Sequence, residues 1–286
     1  MKKITKVISC TLAAASVLSL AACGEKEKLE VGKEFVAATS QLDALTKLDT
    51  GAADVAVIDS VMAGYYTTTG DYAAKMQMVN GLVFAEESYG IAAKKGNNAL
   101  MSKINEALIG IRTTDYATLA TEYGLTSSIA LTDATKDTYA NATDSSWADV
   151  VASGEIVIGY TLFAPIAYEE EQKLTGFDIE LARKTVDYLN GKYNTSVEVK
   201  FLLIEWNTKE AKLADGTIDL VWNGMTITPE REAEMCISVP YLYNKQVAVV
   251  LKSDATKFTT KESMTDAIMT AESGSAGETV IVGDKK

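Results

Sequence analysis

The sequence predicts a mixed α/β chain wound into two similar lobes. Three observations predict it. Short apolar runs that end in small or polar residues alternate with helical patterns. Residues 48–59 (LDTGAADVAVID) align without gaps to residues 213–224 (LADGTIDLVWNG), so Leu48 meets Leu213, Gly51 meets Gly216, Asp54 meets Asp219 and Asp59 meets Gly224. Residues 241–251 form an apolar strand long enough to pass from one lobe into the other. With 286 residues, 47% hydrophobic and 23% charged, the chain can bury a sizeable core in one or two domains.

At the N-terminus, Lys2, Lys3 and Lys6 precede the apolar residues 7–20, and Leu-Ala-Ala-Cys follows at 20–23. A basic region, a short apolar core and small residues make a secretory signal, too short to span a bilayer. The ending resembles the bacterial lipoprotein box, which implies lipidation of Cys23 after removal of residues 1–22; the alternative is plain secretion with Cys23 a bystander. Residues 23–33 are charged and read as a tether. No later stretch is long and apolar enough to span, so the body is expected outside the cytoplasm, held to the membrane through Cys23.

Composition excludes several functions. A net charge of −12 argues against nucleic acid. The chain has no histidine, which removes Ser-His and Cys-His nucleophiles and His-ligated metal sites. Of three cysteines only Cys236 lies in the body, so neither an internal disulfide nor a thiolate cluster is available there. No cofactor and no metal are expected.

The elements follow in order. Residues 42–48 read as a helix, and 51–59 as a turn and a buried strand ending on Asp59, whose bland role is to cap the next helix. Residues 81–84 and 89–93 read as two extended runs parted by Glu86 and Glu87. Leu100, Ile104, Leu108 and Ile111 mark one apolar helix face. Residues 132–146 lose the apolar period and read as a flexible connection. Residues 156–160 and 197–204 read as strands, with Phe163 and Trp206 just past their ends. Asp178 is expected to cap a helix with Ile179, Ala182, Val186 and Leu189 on one face.

The chain is organised around residues 222–231, Trp-Asn-Gly-Met-Thr-Ile-Thr-Pro-Glu-Arg. The apolar run before it is expected to end, the chain to turn on Gly224, and a helix to start at Thr228-Pro229. Such a junction faces the ligand crevice of an α/β protein. It offers backbone N–H groups, the hydroxyls of Thr226 and Thr228 and the guanidinium of Arg231, the parts that hold a carboxylate. The bland alternative is a solvated arginine and capping threonines. Residues 272–278 (ESGSAGE) offer a second small-residue turn for an anion, or a plain flexible turn.

These residues resemble the bacterial extracellular solute-binding proteins of the polar amino-acid type. Residues 147–286 resemble the first part of that family through IGYTLFAPIAYE, TGFDIELA, LADGTIDLVWNGMTITPER and VPYLYNKQVAVVLK. Residues 35–112 resemble its last part through FVAATSQLDALTKLDTGAADVAVID and YGIAAKKGNNALMSKINEAL. The order is reversed, so the chain looks circularly permuted. The resemblance implies a two-lobed periplasmic-binding-protein fold, each lobe a central sheet flanked by helices, joined by two hinge strands. The parts would be residues 34–85 and 251–286 in lobe 2, 86–112 and 147–250 in lobe 1, and 113–146 as linker. It implies hinges near residues 249–252 and 84–89.

It implies that Arg231 and Thr226 hold the carboxylate of an amino acid, helped by Ser275 and the Ala276 N–H. Asp59 and the Gly224 carbonyl would hold its ammonium. Phe163 and Trp206 would sandwich its side chain. Tyr160 stands where members that bind basic amino acids often carry an acid, which points to a neutral polar ligand such as glutamine or cystine. The partners implied are an ABC permease and its ATPase. The chain is expected not to be an enzyme. The rivals are a lyase or dehydratase for a small carboxylate, with Glu169, Glu205 or Asp59 as its acid, and a non-transporting sensor or remnant.

Overall fold

The computed structural model describes residues 29–69 and 72–284. The signal segment, Cys10 and Cys23 lie outside the described residues. In chain order the elements are β1 (Glu34–Ala38), α1 (Gln41–Asp49), β2 (Val55–Asp59), α2 (Ser60–Thr68), β3 (Met76–Lys94), α3 (Asn98–Gly110), α4 (Ala117–Glu122), α5 (Ser146–Ser153), β4 (Glu155–Tyr160), β5 (Tyr168–Glu170), β6 (Lys173–Thr175), α6 (Phe177–Tyr193), β7 (Glu198–Leu203), α7 (Lys209–Asp215), β8 (Leu220–Thr226), α8 (Pro229–Glu234), β9 (Met235–Ile237), β10 (Leu242–Leu251), β11 (Ile268–Glu272) and α9 (Ala276–Val282).

The main sheet runs β1-β11-β2-β10-β3-β8-β4-β7, with β9 also paired to β3. That order has a two-fold pattern. In one half β2 lies between parallel β11 and antiparallel β10. In the other, β8 lies between parallel β4 and antiparallel β3. The outer strands β1 and β7 each add a parallel partner. Helices α1, α2 and α9 cover the first half; α3, α6 and α7 cover the second.

The sequence repeat accounts for the pattern. Asp54 donates its N–H to Ile268 O at 2.8 Å and accepts the Ile268 N–H on Oδ2 at 2.8 Å. Asp219 does the same with Val157, again at 2.8 and 2.8 Å. The two aspartates thus set the register of the two inner parallel pairs. Gly51 and Gly216, two of the aligned residues, both take positive φ, +74° and +80°, where a side chain would be strained.

The halves are joined by β3 and β10, which pair with each other along most of their length. The two runs expected at 81–84 and 89–93 are one 19-residue strand. Glu86 and Glu87 do not break it, because Lys245 and Asn244 of β10 pair with them across the ladder. The apolar faces are buried as expected: Leu100, Ile104 and Leu108 on α3 with Ile111 at its C-cap, and Ile179, Ala182, Val186 and Leu189 on α6.

Three local readings are corrected. Residues 132–146 are irregular but pinned to the body. Asp137 accepts from Ser102 Oγ and Asn105 Nδ2, both at 2.7 Å, Asp144 accepts from Ala99 N at 2.9 Å, and Tyr139 Oη accepts from Ile237 N at 3.2 Å. These few side chains bond backbone and helix residues of the body, while most of the segment stays exposed. The chain does not turn at Gly224, because β8 continues through it to Thr226; φ of +61° makes a kink inside the strand. Asp178 is not a cap, since Gly176 precedes the helix and the carboxylate points to Gly224 instead.

Candidate ligand-binding site

The C-terminal ends of β2, β4, β8 and β11 meet between the two halves. They enclose a cavity of about 10 Å³, room for roughly one water. Arg231, Thr226, Gly224, Asp59, Phe163, Trp206, Ser275 and Ala276, eight of the residues named from sequence, line it together. Arg231, Thr226, Ser275 and Ala276 also line an adjoining cleft of about 1100 Å³.

Arg231 sits in the first turn of α8, where Thr228 caps the helix by accepting the Arg231 N–H at 3.3 Å. Its guanidinium donates from Nη1 to Thr226 O at 2.7 Å in its own half and from Nη2 to Gly274 O at 3.1 Å in the other. Lys209 at the start of α7 donates to the same Gly274 carbonyl at 3.3 Å. Its ammonium lies 4.7 Å from the Trp206 ring centroid and pairs with Glu210 at 2.8 Å. Burial, then the Arg231 guanidinium, lowers the Lys209 pKa. The turn 273–275 leads into α9, and Ser275 caps that helix by accepting the Glu278 N–H at 3.2 Å.

Asp59 ends β2. It precedes α2 without capping it; its carboxylate takes side-chain amides instead. Gln41 and Gln246 donate to its two oxygens, and Asn244 donates to Oδ1 at 2.6 Å. Asn244 and Gln246 also donate to Glu87 Oε1, at 2.5 and 2.8 Å. Burial and then the Glu87 carboxylate raise the Asp59 pKa well above the carboxylate range.

Gly224 is held from behind. Its N–H donates to Asp178 Oδ2 at 2.8 Å and to Tyr241 Oη at 3.2 Å, and Tyr241 Oη donates to Asp178 Oδ2 at 2.7 Å. A Cβ at Gly224 would lie 2.7 Å from Phe163 Cε1, so glycine lets the aromatic wall close on the strand.

Tyr160 is the exception among the expected residues. Its ring packs on Phe201, with centroids 6.2 Å apart, in a cluster with Ala167 and Ile179. Successive side chains alternate across a strand, so the next residue, Thr161, reaches the cavity in its place. Gln41, Asn223 and Glu272 also line the cavity and were missed. Asn223 had a signal in its position beside Gly224 on the strand marked by the repeat, whereas Glu272 ends β11, outside the repeat. Glu169 and Glu205 are exposed and lie outside the cavity.

The arrangement presents a guanidinium from one half and a carboxylate from the other to a shared, desolvated space. That is the complement of a zwitterion, whose two charges leave water only when each finds an opposite partner.

The family model of bacterial extracellular solute-binding proteins, family 3, matches residues 156–273. A probable amino-acid ABC transporter-binding protein of Haemophilus influenzae is 31% identical over 93 residues, 32% of this chain and 34% of that protein. The arginine-binding extracellular protein of Bacillus subtilis is 33% identical over 93 residues, 32% and 34% of the two chains. A cyclohexadienyl dehydratase of Pseudomonas aeruginosa is 26% identical over 110 residues, 38% and 39% of the two chains. The chain thus spans 34% to 39% of the length of these relatives. The match to bacterial extracellular solute-binding proteins, family 3, thus takes in most of the segment from β4 to β11, Arg231 included.

Proposed function

We propose that the protein is an extracytoplasmic, lipid-anchored binding component that captures an amino acid with a neutral polar side chain and delivers it to an ABC importer. The observation that carries this reading is the convergence of Arg231 and Asp59, from opposite halves, on one enclosed cavity. Arg231 and Thr226 take the ligand carboxylate, with the Ser275–Ala276 turn closing on it. Asp59 and the Gly224 carbonyl take the ammonium, and Phe163 and Trp206 take the side chain. The cavity of about 10 Å³ is far smaller than an amino acid, so entry requires the halves to part along β3 and β10. Contacts from both halves then favour the closed state, which is how a ligand drives closure. Among the described residues no helix is long and apolar enough to cross a membrane; attachment through Cys23 rests on the lipoprotein-like sequence at 20–23.

The reversed order of segments is read as a circular permutation. In support, the Glu30 and Val31 N–H groups donate to Ile281 O at 2.8 and 3.3 Å, which places the segment before β1 against the end of α9.

Thermal unfolding with each of the twenty amino acids and cystine tests the function. A ligand at a hundred times its dissociation constant should add about 2.7 kcal/mol of stability. A cooperative melt that no amino acid shifts would remove the reading. Arg231→Ala should leave the melting temperature within a few degrees and weaken binding by about a hundredfold or more, since a desolvated carboxylate loses its charged partner. Unchanged affinity by calorimetry would take Arg231 out of the site.

One observation favours a second reading, an enzyme for a small carboxylate. Burial raises the Glu272 pKa to about 8 against the pull of Lys209, and this carboxyl lines the cavity, as a general acid would. Turnover of a bound carboxylate, followed by product analysis, separates that reading from simple binding.

A further inference from the structure

Glu272 is the last residue of β11 and is 4% exposed. It lines the cavity, yet its Oε1 is sealed from water without a hydrogen-bond partner. Asn223 Oδ1, on the facing β8, is in the same condition, although Asn223 Nδ2 donates to Thr161 Oγ1 at 2.9 Å. Buried polar atoms in folded proteins are nearly always paired, and those that are not call for an explanation. Here both atoms belong to residues that wall the cavity between the halves.

The position is built into the fold. The repeat makes Ile268 the equivalent of Val157, so Glu272 corresponds to Thr161 at the end of β4. The two equivalent strand ends meet at the same cavity, one with a hydroxyl and one with a carboxyl. The ends that hold charge are taken by others: Arg231 by its guanidinium and Asp59 by its carboxylate.

The charges around Glu272 narrow what it can receive. Lys209 of α7 acts on it from nearby and is itself paired with Glu210, and Arg231 of α8 lines the same cavity. Asp59 lies at the end of β2 with Glu87 behind it. Glu278 on α9 accepts the Gly274 N–H at 2.6 Å. Two cations, Lys209 and Arg231, already share the Gly274 carbonyl, so a third on the ligand would be repelled. An anion would meet the carboxyl of Asp59 with Glu87 beside it. A neutral carboxyl both donates and accepts in one plane, and its complement is a group that does the same.

We propose that Glu272 is the specificity-determining residue of the cleft, and that its carboxyl pairs through two hydrogen bonds with a primary carboxamide on the side chain of the bound amino acid. This rests on the amino-acid reading given above. Glu272 donates its proton to the carboxamide oxygen and accepts an N–H in return. The raised pKa keeps that proton in place through neutral pH.

The test is calorimetric titration of the full chain with glutamine, asparagine, methionine, glutamate and lysine at pH 6.5 and 9.5. The wild-type protein should prefer a carboxamide amino acid to methionine by about a hundredfold at pH 6.5, because a site built for a polar group rejects the analogue lacking it. That preference should shrink severalfold or more at pH 9.5, where Glu272 is ionised. Glu272→Leu should bind the carboxamide ligand no better than methionine. Glu272→Gln should keep a carboxamide preference and lose its dependence on pH. A Glu272→Leu protein with the wild-type preference overturns the proposal, as does tighter binding of lysine that strengthens with pH. If Glu272→Leu does not fold, Glu272→Gln decides, and a pH dependence like that of the wild type overturns the proposal. Binding of amino acids without a carboxamide preference removes this inference alone; binding of none removes the amino-acid reading with it.

Discussion

Gly176→Ala is expected to cost about 4 kcal/mol or more, the sum of a strained dihedral and an overpacked contact. Gly176 precedes α6 with φ +121°, a conformation that side chains rarely adopt. A Cβ there would stand 2.4 Å from Ile166 O and 2.8 Å from Ala167 Cα, and backbone cannot swing aside as a side chain can. The contact matters to the site because the loop pressed against Gly176 also carries Phe163, whose N–H donates to Ala167 O at 2.6 Å. Urea denaturation measures the loss as a lower midpoint at unchanged slope. A variant within about 1 kcal/mol of the wild type would mean the loop has room to move.

The second large effect is a fall in stability with rising pH, centred on Asp178. Its side chain is fully buried, and burial raises its pKa from 3.8 to about 7 against the donors Tyr241 and Gly224, which lower it. Between those two values the folded chain binds more protons than the unfolded chain, so raising the pH removes stability. Burial moves Glu272 the same way, from 4.5 to about 8, and Asp59 is raised as well. Glu106 acts oppositely: despite partial burial, Lys103 and Lys192 hold it at about 2, so its contribution is lost only in stronger acid. Stability should therefore peak near pH 4 to 5 and decline towards pH 8. Asp178→Asn keeps an acceptor oxygen and has no proton to release; it should remove about 4 kcal/mol of that decline, at about 1.4 kcal/mol per unit. Melting curves from pH 4 to 9 check this. If the variant declines as steeply as the wild type, another group carries the titration.

Much of this was legible because the chain repeats itself. The match of 48–59 to 213–224 forecast two strands in equivalent places, and both bring their ends to the cavity. Charge and turn chemistry marked Arg231 and Thr228 for the same reason: Thr-Pro-Glu-Arg has few uses other than starting a helix. What stayed hidden depended on facing and on partners far along the chain. Tyr160 and Thr161 are adjacent, and only the observed pleat says which one reaches the cavity. Asp178 has the spacing of a cap, but its acceptor is spent on a glycine 46 residues later. Glu272 looked like one more polar residue in a loose turn, because the residues that wall the cavity with it, Trp206 and Arg231 among them, come from the opposite half.

The ribbon of β3 and β10 slips its register at two places, between Gln246 and Val247 and between Val247 and Val249, and the first lies at the site. Ala85 pairs with Gln246 and Val83 with Val247, so Phe84 is skipped and the ladder slips there. Gln246 is also the residue opposite Asp59 on β2, and its amide holds Asp59 and Glu87 together. On the proposed reading, the hinge of closure and the seat of the ligand ammonium therefore share one piece of backbone. If the ribbon twists there, the Gln246 amide that joins Asp59 to Glu87 moves with it, so ligand charge and hinge angle would be coupled through one side chain.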